Sequence, residues 1–157
     1  MEKNSTSAVQ FIAKLSDMYR YILENDEKHL VTIEEEMKFL DDYIFLIKTR
    51  HQSSIVVEKT LKGVDMKAMI PPMSLQILLE NAVKHNSFSK DSPLHIEVHA
   101  TDSKTIRISN QKVKKKELIH STGIGLKNLS KRLKLLVGKG LTIMEDDHFF
   151  KVSVPLS

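Results

Sequence analysis

The chain lacks several residue types, and each absence excludes a class of protein. Its 157 residues contain no cysteine, which excludes a disulfide scaffold and zinc or iron–sulfur sites with cysteine ligands. Five glycines and four prolines are too few for a collagen-like repeat. No apolar run approaches the ~20 residues that span a bilayer. With 41% hydrophobic and 28% charged residues, the composition is that of an ordinary globular domain, with room for a short appendage.

Charge is unevenly distributed along the chain. Lysine and arginine number 24 against 20 aspartates and glutamates, a net charge of +4, which divides into −3 over residues 1–50 and +7 over residues 51–157. A basic half favours an anionic ligand such as nucleotide phosphates, nucleic acid or an acidic partner, or it simply keeps the surface soluble. Single-strand binding usually adds aromatic stacking. Because aromatics make up 6% and tryptophan is absent, we expect no nucleic-acid partner.

The first third of the chain predicts two helices. Apolar residues recur at steps of three and four over residues 8–23, and a polar linker follows at 24–31. Thr32 and Glu35 form a capping-box pattern, and the glutamates at 34–36 suit the positive end of the helix dipole. This second helix should end near Arg50. We predict a helical segment over residues 1–52, whose apolar stripes make a homodimer plausible.

The remaining residues, 53–157, predict a sheet with helices. We expect an α+β fold, a two-layer sandwich of a mixed, mostly antiparallel sheet with helices on one face, preceded by the two helices. The prolines at 71–72 suit the first turn of a helix. The predicted elements are a strand at 55–57, helices at 73–85 and 126–137, hairpins at 95–100 with 105–109 and 141–144 with 149–154, and a lysine-rich loop at 110–122.

One polar group lies at the end of the predicted helix 73–85. Asn81, Lys84 and His85 share one helical face, and Glu80 is rotated by about 100° from Asn81. An amide oxygen suits Mg²⁺, and a lysine and a histidine can meet phosphate oxygens. A carboxylate can orient or deprotonate a nucleophile. The plainer interpretation is an amphipathic helix with a solvated polar face.

A second group opens the predicted helix at 126–137. Gly123 and Gly125 let the backbone approach a ligand closely, and the amides at a helix start bind anions. Leu126 and Asn128 follow in the first turn. An ordinary turn from loop to helix would look the same, so the weight of this pattern comes from its place after the lysine-rich loop.

The two patterns resemble the motifs of a known ATPase superfamily. ENAVKH, residues 80–85, resembles the N-box of the GHKL (Bergerat-type) ATPases, and GIGLKNLSKRL, residues 123–133, resembles their second glycine box. LSDMYRYIL at 15–23, VTIEEEMKFLDDYIFLIKTR at 31–50 and IPPMSLQILLENAVKH at 70–85 narrow the resemblance to LytS-type sensor histidine kinases. The resemblance covers most of residues 8–140.

The resemblance implies a function for each part of the chain. Residues 53–157 would be a Bergerat-fold catalytic domain that uses ATP and Mg²⁺ to phosphorylate a histidine. Residues 1–52 would be the remainder of a dimerisation and phosphotransfer region. The partners would be a second copy of the chain and a response regulator. The whole protein would be an inner-membrane receptor whose kinase module lies in the cytoplasm.

The resemblance also implies a role for each candidate residue. Asn81 would hold Mg²⁺ against the nucleotide phosphates, and Glu80 would assist phosphoryl transfer. Lys84 and His85 would line the phosphate side. The glycine pair would end a lid over residues 110–122. Leu126 and Asn128 would lie near the phosphates, at the start of the helix.

The chain departs from the family pattern at two places. Asn110-Gln111-Lys112 stands where the family has Asp-x-Gly for adenine. Asn110 can still accept from the adenine amine, although a neutral contact should be weaker by about 1–2 kcal/mol. A non-catalytic interaction module with the same fold is the alternative. None of the seven histidines lies in the family's Asn-Pro-His-Phe-type acceptor motif, so we expect a fragment that does not autophosphorylate alone.

Overall fold

The secondary structure follows the predicted order with two additional short strands. The computed structural model describes residues 2–113 and 123–157. Its helices are α1 (Glu2–Asn25), α2 (Ile33–His51), α3 (Ser74–His85) and α4 (Ile124–Val137). Its strands are β1 (Val31–Thr32), β2 (Ile55–Thr60), β3 (Met69–Ile70), β4 (Leu94–Asp102), β5 (Thr105–Gln111), β6 (Thr142–Glu145) and β7 (Phe149–Pro155).

Five of the strands form one mixed sheet in the order β2-β4-β5-β7-β6. The β2–β4 pair is parallel and every other pair in this sheet is antiparallel. The connection from β2 to β4 passes through α3, as a parallel pair requires a crossover. The predicted α+β class, the mostly antiparallel sheet and both hairpins are therefore confirmed.

The core lies between one face of the sheet and three helices. Alternate residues of β4, such as Ile96 and Val98, are buried while their neighbours His95 and Glu97 are exposed, as the two-residue period of a strand dictates. The helices α2, α3 and α4 contribute to this same core. The division at residue 52 thus stays a prediction about roles, because α2 and the sheet share one core.

Helix α1 packs on α2. The Tyr21 ring stacks on Phe39 with centroids 4.3 Å apart, and Lys14 Nζ lies 2.7 Å from Asp42 Oδ1. The other face of α1 exposes apolar side chains, among them Val9, Ile12, Leu15, Tyr19 and Leu23. Within the described ranges, no helix is long and apolar enough to cross a membrane.

Three local predictions need correction. Helix α1 extends to Asn25, and the expected linker holds strand β1, which pairs with β3; a two-residue strand has no periodicity to detect. The prolines at 71–72 precede α3 instead of opening it, because Met73 takes a left-handed conformation (φ 64°) that delays the helix to Ser74. The capping box of Thr32 and Glu35 is present as predicted.

The start of α3 is capped by a glutamate from another helix. Glu36 of α2 is fully buried, and its Oε1 accepts from the Leu75 amide at 2.9 Å. Its Oε2 accepts from the Met73 amide at 3.0 Å and from the Tyr21 hydroxyl at 2.8 Å. Burial raises the pKa of the Glu36 carboxyl, and these three donors oppose that shift. The Glu36 side chain therefore links α1 and α2 to backbone amides at the start of α3 that the helix itself leaves without an acceptor.

We expect Glu36→Gln to lower the free energy of unfolding by about 1–3 kcal/mol, the cost of leaving a buried donor without an acceptor. The new NH₂ group replaces an oxygen that accepts from an N–H or O–H donor, so one donor faces another. Urea unfolding measures the change. Glu34→Gln, at an exposed position in the same turn, is the control. Equal stability of the two variants would contradict this account of Glu36.

Candidate functional site

The end of α3 faces the start of α4 across a small cavity. This cavity has a volume of about 230 Å³. An added Cβ on Gly125 would lie 4.0 Å from Ile77 Cγ2, so the two helices approach closely without a clash. The structure thus brings together most of the two predicted groups, since the lining of this cavity includes Glu80, Asn81, Lys84, His85, Gly123, Gly125 and Leu126, beside Ile77 and Ile124.

A larger cavity of about 460 Å³ adjoins the first, within the usual size range of ligand pockets. Both cavities are lined by Asn81, His85, Gly123 and Leu126, so they form one continuous site. The larger cavity extends towards the sheet, where β5 and β7 contribute Asn110 and Phe150. Its lining combines apolar side chains with a few polar ones, a composition typical of small-molecule sites.

Asn110 is the predicted residue on the sheet side. It occupies an inward position of β5, is only 4% exposed, and lies opposite Phe150 in the β5–β7 register. Its Nδ2 donates to the Gln111 carbonyl oxygen at 2.8 Å. Because that bond uses the amide nitrogen, Oδ1 is the acceptor that this side chain can offer to a ligand.

Sequence reasoning missed Asn86, which lies in the wall of the larger cavity. Asn86 directly follows α3; its Nδ2 donates to the Ala82 carbonyl and its Oδ1 accepts from the Val113 amide, both at 2.8 Å. It therefore ties the end of α3 to the chain after β5. The available signal was an asparagine at a helix end, where its side chain can satisfy backbone groups.

A lysine also fixes the chain beyond β5. Lys112 Nζ lies 2.7 Å from Glu145 Oε1 and donates to the Asp146 carbonyl at 2.9 Å. The Lys112 amide donates to the His148 carbonyl at 2.7 Å. Lys112 and Glu145 both line the larger cavity. The predicted lid continues into residues 114–122, which lie outside the described part of the chain.

Two predicted residues lie at or beyond the edge of the site. Glu80 is exposed, and its Oε2 accepts from Gln76 Nε2 at 2.7 Å. Burial, and then the charge of Glu80, raises the pKa of Tyr43 of α2 to about 12. Asn128 is exposed and lines neither cavity.

The donor set fits Mg²⁺ bound with a phosphorylated ligand better than a metal held by protein alone. Among the described residues no group of three or more histidines, aspartates and glutamates is placed to hold a metal ion. Asn81 offers one amide oxygen in the wall shared by both cavities. Magnesium commonly takes one or two protein oxygens and completes its shell with phosphates and water.

Several solved structures with a similar architecture are histidine kinases. The cytoplasmic segment of histidine kinase QseC has a TM-score of 0.53 and 19% identity, covering 80% of this chain and 75% of that one. The histidine kinase domain of the blue-light activated kinase of Erythrobacter litoralis EL346 has a TM-score of 0.52 and 13% identity, covering 96% of this chain and 75% of that one. The fold is shared with histidine kinase domains, among them the catalytic domain of histidine kinase ThkA, which has a TM-score of 0.52 and 13% identity and covers 80% of this chain and 93% of that one.

Sequence comparison also finds histidine kinases, and among them a sensor histidine kinase. The histidine kinase family model matches residues 1–55. The sensor histidine kinase/phosphatase LytS of Staphylococcus aureus (strain MRSA252) is 27% identical over a match 156 residues long. The match covers 89% of this chain. The chain spans only 27% of the length of that relative. The resemblance to LytS-type sensor histidine kinases that the motifs predicted is confirmed.

We expect opposite stability effects at the two glycines. Gly123 has φ 62°, so Gly123→Ala should cost about 1 kcal/mol in the left-handed region. Gly125 lies inside α4 with an ordinary van der Waals distance to Ile77, so Gly125→Ala should stabilise the helix by up to about 1 kcal/mol. Urea unfolding of both variants checks this. A loss of stability in Gly125→Ala as large as that in Gly123→Ala would contradict the described backbone.

Proposed function

We propose that this chain is the ATP-binding catalytic portion of a two-component sensor histidine kinase, an enzyme that transfers the γ-phosphate of ATP to a histidine. One observation supports the proposal above the others. Asn81 on α3 and the glycine pair at the start of α4 line the same cavity, which continues into a larger one reaching the sheet. The larger cavity offers room for a base and the smaller one for phosphates.

The larger cavity would hold the adenine. Asn110 Oδ1 would accept a hydrogen bond from the exocyclic amine, while the bond from Nδ2 to the Gln111 carbonyl keeps the amide oriented. Phe150 and Val113 would cover the apolar surface of the base. A buried position for Asn110 strengthens such a contact, since few water molecules compete for it.

The smaller cavity would hold the phosphates. Asn81 would supply the amide oxygen that fixes Mg²⁺, which neutralises charge on the transferring phosphoryl group. Lys84 and His85 would lie along the phosphates. The amides that follow Gly123 and Gly125 would face the anionic oxygens at the helix start, near Leu126 and Asn128.

Glu80 would act on the acceptor side of the reaction. Its exposed carboxylate lies at the edge of the smaller cavity and can orient or deprotonate an incoming imidazole. The contact with Gln76 Nε2 holds this carboxylate in place. The rest of catalysis would be positioning and charge stabilisation, which dominate phosphoryl transfer.

The wider assembly is part of the same proposal. The exposed apolar stripe of α1 would pair with a second copy, and a response regulator would receive the phosphate. The module would lie in the cytoplasm as part of a protein attached to the inner membrane, without a nucleic-acid partner. Because none of its histidines has the acceptor motif, the chain alone would bind ATP without phosphorylating itself.

We expect the chain to bind ATP in a Mg²⁺-dependent way and Asn81→Ala to weaken that binding about tenfold or more, the loss of a charge-assisted contact. Isothermal titration with a non-hydrolysable ATP analogue, with and without Mg²⁺, measures it. Asn128→Ala removes an amide at an exposed position on the neighbouring helix and should cause a smaller loss. Absence of Mg²⁺-dependent binding at millimolar nucleotide would overturn the proposal.

A second candidate is a non-catalytic interaction module that has the fold but binds nucleotide poorly or not at all. The motif at residues 110–112 favours it, because an asparagine replaces the aspartate of the family pattern. The Lys112–Glu145 ion pair also lies in the wall of the larger cavity. Indifference of nucleotide affinity to Asn81→Ala would favour this candidate.

Substitution of Asn110 tests the adenine side separately. We expect Asn110→Asp to tighten ATP binding by about fivefold, because a carboxylate accepts from the adenine amine more strongly than an amide, while the lost Nδ2 bond to the Gln111 carbonyl limits the gain. Asn110→Ala should weaken it. Titration with adenosine and with ATP measures both. Equal affinities of the three proteins for adenosine would show that the base does not lie against residue 110.

A further inference from the structure

The turn that precedes α3 is held from two sides. From α2, Glu36 accepts from the Met73 and Leu75 amides at 3.0 and 2.9 Å. From α4, Arg132 Nη2 donates to the Pro72 carbonyl oxygen at 2.9 Å. The two side chains, called the clamp below, therefore act on consecutive backbone groups at residues 72–75 from opposite elements of the core.

Arg132 contacts this turn through one nitrogen of its guanidinium group. Its Nε is buried and has no hydrogen-bond partner among the described residues, so Nη2 makes the contact that orients the guanidinium. The positive charge of Arg132 also favours the ionised form of Glu36. Arg132 is half-buried, and a buried Nε without a hydrogen-bond partner is costly, which calls for an explanation beyond packing.

The clamp and the cavity lie at opposite ends of the same helix pair. Arg132 meets the start of α3, whereas Gly125, two turns earlier on α4, faces Ile77. Gly123 and Leu126 share the smaller cavity with Asn81, near the end of α3. The helices α3 and α4 are thus antiparallel, with the clamp at one end and the cavity at the other.

This arrangement turns small rotations at the clamp into displacements at the cavity. Asn81 lies about 10 Å along the helix from Ser74. A tilt of about 6° at the clamp would move Asn81 by about 1 Å. A misplacement of that size at an active site can lower the reaction rate by about a hundredfold.

We propose that Glu36 and Arg132 are positioning residues of the nucleotide site, which set the tilt of α3 so that Asn81 faces the glycine pair of α4. This inference rests on the proposed function. The clamp touches neither cavity, and it acts on the ligand only through α3. Asn110 and Phe150 on the sheet side of the site do not belong to α3, although the end of α3 also lines the larger cavity.

The two sides of the site respond differently, and this difference supplies the test. Arg132→Met removes the contact with Pro72 and keeps a long side chain. We expect it to weaken the affinity for a Mg²⁺–ATP analogue about tenfold and the affinity for adenosine by a clearly smaller factor, because the base also rests on the sheet whereas the phosphates rely on α3 and α4. Lys131→Met, at an exposed neighbouring position with the same charge change, should leave both affinities unchanged.

Two results would overturn the proposed positioning role of the clamp. One is an unchanged affinity for the Mg²⁺–ATP analogue in Arg132→Met; the other is an equal loss for adenosine, which marks a general loss of structure. Should that variant not fold, Arg132→Lys replaces it, with a smaller loss in the same direction expected and no loss overturning the clamp. If the unsubstituted chain binds neither ligand, the proposed function itself fails.

Discussion

The buried carboxylate of Glu36 is the contact on which the arrangement of the helices depends. The capping box starts α2 at Ile33, and this phase puts Glu36 on the same face as Ile33, Met37 and Leu40. A carboxylate in the core is costly, and three donors from α1 and the start of α3 offset that cost. The beginning of α3, and hence the direction in which it presents Asn81, follows from a charge placed inside the core.

Two helices form one part of the site and the sheet forms the other. The helices α3 and α4 form the smaller cavity, whose polar side chains and position at a helix start suit an anion. The sheet forms the far wall of the larger cavity through Asn110 and Phe150. A nucleotide has the same division, with charge at one end and a flat apolar base at the other, and this match underlies the proposed kinase function.

The sequence predicted what short-range patterns can determine. The capping box, the hairpins and the motif helices depend on neighbouring residues, and they appear close to their predicted bounds. Glu36 was predicted only to interact with the helix dipole. Its three donors, on Tyr21, Met73 and Leu75, are separated from it by 15 or more residues, so no local pattern shows them. The left-handed Met73, the β1–β3 pair and the contact of Asn86 with Val113 are likewise set by tertiary packing.

The central claim is that Asn81 and the glycine pair hold one metal–nucleotide complex between them. Paramagnetic Mn²⁺ in place of Mg²⁺ tests it directly, by the broadening of amide resonances in the ATP-bound protein. The account predicts that residues 81–86 and 123–128 broaden together and only when ATP is present, while Glu97 and Arg107 on the outer sheet face stay sharp. Broadening of one helix without the other, or of neither, would contradict it.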